Sequence, residues 1–390
     1  MAHEATLLRS ARRAAPKMMI AAMPLAVGVG CHGATSQATA PDAPAVLVPS
    51  RPPGNDRGHD DGRATLAWSL LTARLPTAVS NNAVASVGGD TLVSMMGLTG
   101  RKTHADIVRT AMTWTPGAPA FRTVAATPGA LGRLAGSAVG LGSDVLLFGG
   151  YTVGPDGHEV SVPAVQRYDV NADAWSTLTT MPVPVDDAMV AVWRDRVVLV
   201  SGWSNVDNVP DVQWLHPSTG EWSTASAIIG PPVFGHAGAV LDDSIVYCDG
   251  VRRSETAPKY RAVDACFRGD IDPDAPERIV WSSIPSHPGP ARYRMAAGRY
   301  QAQGWIVFAG GTANPYNYDG LGYDGVASQP VRDVFAWDGE AWRELPPLPE
   351  PLMDHRGLVE ASGALFLIGG MDTMRQASDR VYRLGPISTR

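Results

Sequence analysis

The sequence predicts an all-β chain, a six-bladed β-propeller of four-stranded antiparallel blades. Three observations predict it. First, apolar runs that end in glycine recur six times, closing at Gly97, Gly149-Gly150, Gly202, Gly250, Gly310-Gly311 and Gly369-Gly370, each after a tight polar turn. Second, strand-opening aromatics stand at Trp68, Phe121, Trp175, Trp222, Trp281 and Trp342, separated by 53, 54, 47, 59 and 61 residues. Third, 41 Gly, 32 Pro and only 18% charged residues in 390 favour short strands and turns over long surface helices. A twisted four-stranded unit cannot bury both faces alone. Repeated every 45–60 residues and stacked radially, each sheet covers its neighbour.

The second unit shows the pattern most fully. An inner strand over 134–141 leads to an apolar run at 145–148 that ends on Gly149-Gly150. The glycine pair lets the chain leave the inner strands in a conformation closed to residues with a Cβ. After a long polar loop, 165–170 alternates around Tyr168, and Trp175 opens the outer strand. Trp214, Trp337 and Tyr382 take the place of Tyr168 in other units, Trp114 less clearly, and Cys266 replaces it in the fourth. These aromatics suit the space between sheets, which widens toward the rim. The sixth unit has no outer strand before the chain stops at Arg390, but 66–71 (LAWSLL) precedes the first complete unit. One blade shared by both ends closes the ring, so the propeller occupies 64–390.

Upstream, Arg9, Arg12, Arg13 and Lys17 precede an apolar stretch at 18–30 that is too short to span a bilayer comfortably. Residues 1–30 therefore read as a signal peptide. Val29-Gly30-Cys31 resembles the end of a bacterial lipoprotein signal, although Gly28 stands where leucine is usual. The resemblance implies lipidation at Cys31 and an exported chain in the periplasm or at the outer membrane, held to the membrane by lipid only. Ala38-Thr39-Ala40 offers an ordinary cleavage site instead. Residues 31–63, rich in Ala, Pro, Asp and Gly, read as a flexible tether. Without residues 1–30 the chain keeps 28 Lys+Arg against 37 Asp+Glu, a net charge of −9. That excludes the basic face that nucleic-acid binding needs. Cys248 and Cys266 lie on consecutive strands predicted at 245–248 and 262–267. They can bridge in an oxidising compartment or remain two buried thiols.

Function is expected on the face that carries the long connections, 98–108, 151–163, 203–210, 251–261, 312–331 and 371–379. The residues leading into the inner strands, Asn81/Asn82, Arg133, Asp186/Asp187, His236, Arg294 and His355/Arg356, should ring the channel mouth there. Arginine forks bind carboxylates, and Asn, Asp and His bind hydroxyls. The set therefore suits an anionic, hydroxyl-rich ligand, or serves only to hydrogen-bond neighbouring loops. Tyr316, Asn317, Tyr318, Asp319 and Tyr323 in the fifth connection can stack on and bind a sugar, or pack on their own blade. The loop-face histidines match no metal-ligand spacing, and no cofactor fingerprint is present, so neither a metal nor a cofactor is predicted.

The Gly-Gly, Tyr and Trp pattern resembles the kelch repeat over residues 64–388. Within that class, 305–344 is similar to the fifth-blade region of bacterial N-acetylneuraminate epimerases, exported six-bladed mutarotases. The resemblance implies an acidic sugar as ligand and an acid and a base that open and reclose its ring. It places a catalytic glutamate just after the fourth-unit glycine. Val251 stands there, with Arg252, Arg253, Glu255 and Arg261 nearby. Asp187, His236 and Glu255 are thus the catalytic candidates, with Asp186 an equal choice as base. Asn82, Arg133, Arg294, Arg356, Tyr316, Tyr318 and Asp319 are the ligand-binding ones. The alternative is a non-catalytic module that binds a glycan or an envelope protein at the loop face.

Overall fold

A computed structural model describes residues 65–387. The expected signal peptide, Cys31 and the tether lie outside the described residues. Six four-stranded antiparallel sheets follow one another along the chain, each built outward from an inner strand. The inner strands are Ala83–Val87, Leu134–Leu141, Met189–Trp193, Ala237–Leu241, Ala296–Tyr300 and Val359–Ala361, in blades 1 to 6. Each neighbours the next, and the sixth lies beside the first, so the ring is closed. Leu66–Val79 pairs antiparallel with Ser378–Pro386 as the outer strand of blade 6. The N-terminal strand thus completes the last blade.

Apolar side chains on both faces of the middle strands form the cores between blades. Val197–Val200, Ile306–Ala309 and Leu365–Ile368 are almost wholly buried. Tyr168, Trp214 and Tyr382 fill the wider outer space and are 0–1% exposed. The strand-opening tryptophans have a second role. Trp175 Nε1 donates to Ala125 O of blade 1, Trp281 to Ser226 O of blade 3, Trp342 to Pro285 O of blade 4 and Trp68 to Pro346 O of blade 5, at 2.7–3.0 Å. Trp222 Nε1 reaches Thr179 Oγ1 at 3.4 Å. Each indole therefore ties its blade to the preceding one. Phe121 in blade 1 has no N–H and stacks on Trp114 instead, with ring centroids 5.5 Å apart.

The Gly149-Gly150 pair is needed for close approach. A Cβ on Gly149 (φ +53°) would stand 2.1 Å from Val185 O, and one on Gly150 (φ +77°) 2.5 Å from Leu134 O. The pair does not end its strand, however. Asp144–Val153 runs through it and pairs with Glu159–Ser161, so much of the expected 151–163 loop is a hairpin. Two further connections are hairpins as well: Trp203–Ser204 with Asp207–Asn208, and Val251–Arg253 with Tyr260–Ala262. They are zipped together, since Asn208 Nδ2 donates to Val251 O at 3.1 Å and Arg253 N to Asn208 Oδ1 at 2.8 Å. The third strand of blade 4 is Cys266–Ile271, later than the 262–267 expected, because 260–262 joins the hairpin. Cys248 and Cys266 are directly opposed on neighbouring strands and joined in a disulfide.

Candidate functional site

The chain enters each inner strand by the same geometry. Asn81, Ala135, Asp187, Gly235, Arg294 and Asp354, one from each blade, all have left-handed φ between +51° and +68°. Their backbones form a closed belt around the axis. Asn81 N donates to Asp354 O, Asp354 N to Arg294 O, Arg294 N to Gly235 O, Gly235 N to Asp187 O and Asp187 N to Ala135 O, at 2.8–3.2 Å. Ala135 N closes the circle on Asn81 Oδ1 at 2.5 Å. Side chains reinforce it. Arg294 spans Asp187 (2.7 Å) and Asp354 (3.3 Å), and Arg356 binds Asp187 and Asn81. The collar expected at an open channel mouth is therefore a plug whose charges neutralise one another.

That placement fixes what the predicted residues touch. Asp187 is buried; burial pushes its carboxyl up, but the guanidinium groups of Arg294 and Arg356 outweigh this and hold it below the usual range. Arg133, drawn down to about 10 by burial, donates to Gly149 O at 2.9 Å and to Gln166 Oε1. Asn82 bridges Ser94 Oγ (2.9 Å) and Ile368 O (3.2 Å). His236 binds Val200 O at 3.0 Å, and burial lowers it to about 4. It lines the axial channel below the plug, a cavity of about 820 Å³ walled by all six inner strands and reaching the tight turns. Arg356 lines the same channel. Glu255 is exposed on the Val251–Ala262 hairpin and lines neither cavity described here.

The fifth connection packs on its own blade through Tyr316 and also crosses the face. Asn317 donates to Glu159 Oε1 of blade 2 at 2.7 Å, accepts from Tyr151 OH at 3.3 Å, and its carbonyl accepts Arg294 Nη1. Tyr318 packs beside Leu98, Ile107 and Tyr151. The Asp319 carbonyl accepts Lys102 Nζ at 3.5 Å, while its Oδ1 accepts Leu321 N in a turn. Tyr316 is wholly buried, 5.4 Å edge-on to Tyr293, with the Arg294 guanidinium 5.2 Å from its ring. This loop roofs the plug.

Between roof and plug lies a cavity of about 220 Å³, lined by Glu159, Ser161, Asp186, Asp187, Trp203, Asn205, Phe234, Lys259, Tyr260, Arg294, Asn317 and Tyr323 among others. Trp203, Phe234 and Tyr260 meet edge to face at 5.5–5.9 Å, and Tyr260 and Tyr323 have ring centroids 4.2 Å apart. Asp186 is held by a two-way backbone bridge to Trp203, at 2.9 Å in each direction. Its Oδ2 accepts Ser161 Oγ at 2.6 Å. Burial first, then the adjacent Asp187 carboxylate, push its carboxyl well above the usual range, which favours the protonated form. Asp186, Trp203, Asn205 and Lys259 thus bring a carboxyl, an indole N–H, an amide and an ammonium to one cavity. Among the described residues, no three His, Cys, Asp or Glu side chains converge as a metal site.

Sequence reasoning weighed Asp186 but not its partners Glu159, Ser161, Trp203, Asn205, Lys259 and Tyr260. A signal was present. The positions just before the left-handed residues are Ser80, Leu134, Asp186, Phe234, Tyr293 and Met353, so Asp186 is the one carboxyl in a mainly apolar column. Val251, where the epimerase resemblance puts a glutamate, is wholly buried against Phe234, Tyr293 and Tyr316.

No family model matches the chain. Kelch-like protein 15 of Mus musculus is 26% identical over 130 residues, which is 33% of this chain and 21% of that protein. The chain thus matches about a fifth of that relative's length. Kelch domain-containing protein 3 of Bos taurus is 24% identical over 277 residues, 66% of this chain and 69% of the relative. The solved structure of YjhT superposes with a TM-score of 0.66 at 16% identity, covering 81% of this chain and 97% of the other, a likeness of fold. The chain is a six-bladed β-propeller with kelch-repeat proteins among its relatives.

Proposed function

We propose that the loop-face pocket binds a single sugar ring and interconverts its anomers. The observation that carries this reading is Asp186, a buried carboxyl pushed toward its protonated form, lining a cavity that a second carboxylate, Glu159, also lines. Two carboxyl groups in unlike environments divide the roles of acid and base. Glu159 takes the proton of the anomeric hydroxyl while Asp186 gives its proton to the ring oxygen. The bond between C1 and the ring oxygen breaks, a carbonyl forms at C1 and turns, and the reverse transfers reclose the ring. Trp203, Tyr260 and Tyr323 supply faces for the apolar side of the ring, and Asn205 and Asn317 supply hydroxyl partners. Asp186 thus does from blade 3 what the resemblance assigned to a glutamate in blade 4.

The test is proton NMR of freshly dissolved anomers with micromolar protein and with Asp186→Asn. Acceleration by the native chain that is lost in the variant supports the reading; equal rates in both overturn it. Export, with a lipid on Cys31, is part of the same proposal. A Cys31→Ser chain that still partitions with membranes would defeat it. A second reading, a protein partner on the loop face, is favoured by exposed Val206, Val326 and Met374. If it holds, polar substitutions there abolish partner binding and leave the anomer exchange rate unchanged.

A further inference from the structure

We propose that the sugar taken by this pocket is a neutral aldose and not a sugar acid. This rests on the anomer-exchange reading above and specifies its substrate. The first ground is that the candidate arginines are already engaged. Arg133 is held by Gly149 O and Gln166, Arg294 by Asp187, Asp354 and the Asn317 carbonyl, and Arg356 by Asp187 and Asn81. All three are 4% exposed or less at the side chain or residue. A carboxylate ligand is bound best by a guanidinium fork, and freeing Arg294 or Arg356 would take a partner from the buried Asp187, while freeing Arg133 would break its bonds to Gly149 O and Gln166.

The second ground is the charge of the lining. Asp187 and Arg294 cancel, burial pushes Asp186 toward its neutral form, and the remaining Glu159 and Lys259 are one charge of each sign. The site has no net field to draw an anion inward. An added carboxylate would stand near Glu159, and Lys259 would have to offset both. Its charge would also hold the Asp186 proton more tightly, which opposes the transfer to the ring oxygen. By contrast, the Asp186 carboxyl, the Trp203 indole and the Asn205 amide that line the cavity can pair with the hydroxyls of a sugar ring.

The third ground is size. At about 220 Å³ the cavity falls below the roughly 300–1,000 Å³ of drug-sized sites. That volume suits one six-membered ring and its hydroxyls better than a ring that also carries carboxylate, acyl and polyol arms.

The experiment compares α-D-glucose and α-D-galactose with N-acetylneuraminate, using the full chain at pH 7 and NMR exchange of the anomers. The expected result is at least tenfold acceleration for one neutral aldose, none for N-acetylneuraminate, and loss of the effect in Asp186→Asn with an unchanged melting temperature. Acceleration of N-acetylneuraminate alone, or of both classes equally, overturns the neutral-aldose inference and leaves the anomer-exchange function standing. Acceleration of neither removes that function and this inference with it. Quenching of tryptophan fluorescence by the aldose, lost in Trp203→Phe, checks that binding is at this pocket.

Discussion

Adjacent aspartates in blade 3 meet opposite fates, and single-residue tests follow from that. The guanidinium clamp holds the Asp187 carboxyl below the usual range, whereas burial and the Asp187 charge push Asp186, one residue away, above it. In the unfolded chain Asp186 ionises above pH ~4, so retaining its proton costs folded-state stability as pH rises beyond that. Asp186→Asn therefore melts no lower than the native chain at pH 7 while losing activity, which calorimetry and NMR together check. His236 and His355 titrate the other way. Burial lowers both to about 4, so the folded chain keeps them neutral where the unfolded chain protonates them near pH 6.5. Their contribution is complete above that value and is lost as pH falls toward 4, on the order of 3 kcal/mol each. Chemical denaturation between pH 7 and 4 should show the decline, and His355→Asn should flatten it. Ala135 is left-handed with φ +55°, which costs a Cβ-bearing residue roughly 1–2 kcal/mol. Ala135→Gly should gain about 1 kcal/mol, less the extra unfolded-state entropy of glycine.

The blades depend on ties that local propensity does not describe. Outer-strand tryptophans reach back to the preceding blade, and the fourth blade carries a cross-strand disulfide that closes 18 residues. Loop-closure entropy gives such a bridge about 3 kcal/mol. Replacing Cys248 and Cys266 by Ala should lower stability by about that amount in denaturant titrations, and reductant should then have no further effect. The pair was legible as a candidate from strand order alone. Its bridging was not, since opposition of the two Cα atoms depends on where the third strand begins, and the hairpin at 260–262 moves that start. The same holds for the fifth connection. Its tyrosines and asparagines were visible, but that it crosses to Glu159 and Lys102 depends on the ring bringing blades 1, 2 and 5 around one axis.

The whole molecule is held as a closed ring by its N-terminal strand. Leu75 and Val79 are 2% exposed in the core shared by blades 6 and 1. Deleting 65–79 uncovers that core and leaves Ser378–Pro386 as a free edge open to pairing with other chains. The shortened chain should lose its cooperative melt and aggregate, as circular dichroism and light scattering would show. Closure, blade number and the inner-strand positions followed from the sequence, because glycine pairs, turns and aromatics repeat at a period that only radial stacking satisfies. Asn81, Asp187 and Arg294 of the belt were also found from the sequence, since each unit leads into its inner strand at the same place, whereas Ala135, Gly235 and Asp354 were not. Whether they face a ligand or one another was decided by tertiary structure. The left-handed turns aim six backbone amides around the axis, and two arginines then find two aspartates there. That closure turns the expected binding ring into a floor and leaves Asp186, one residue earlier, lining the cavity above it.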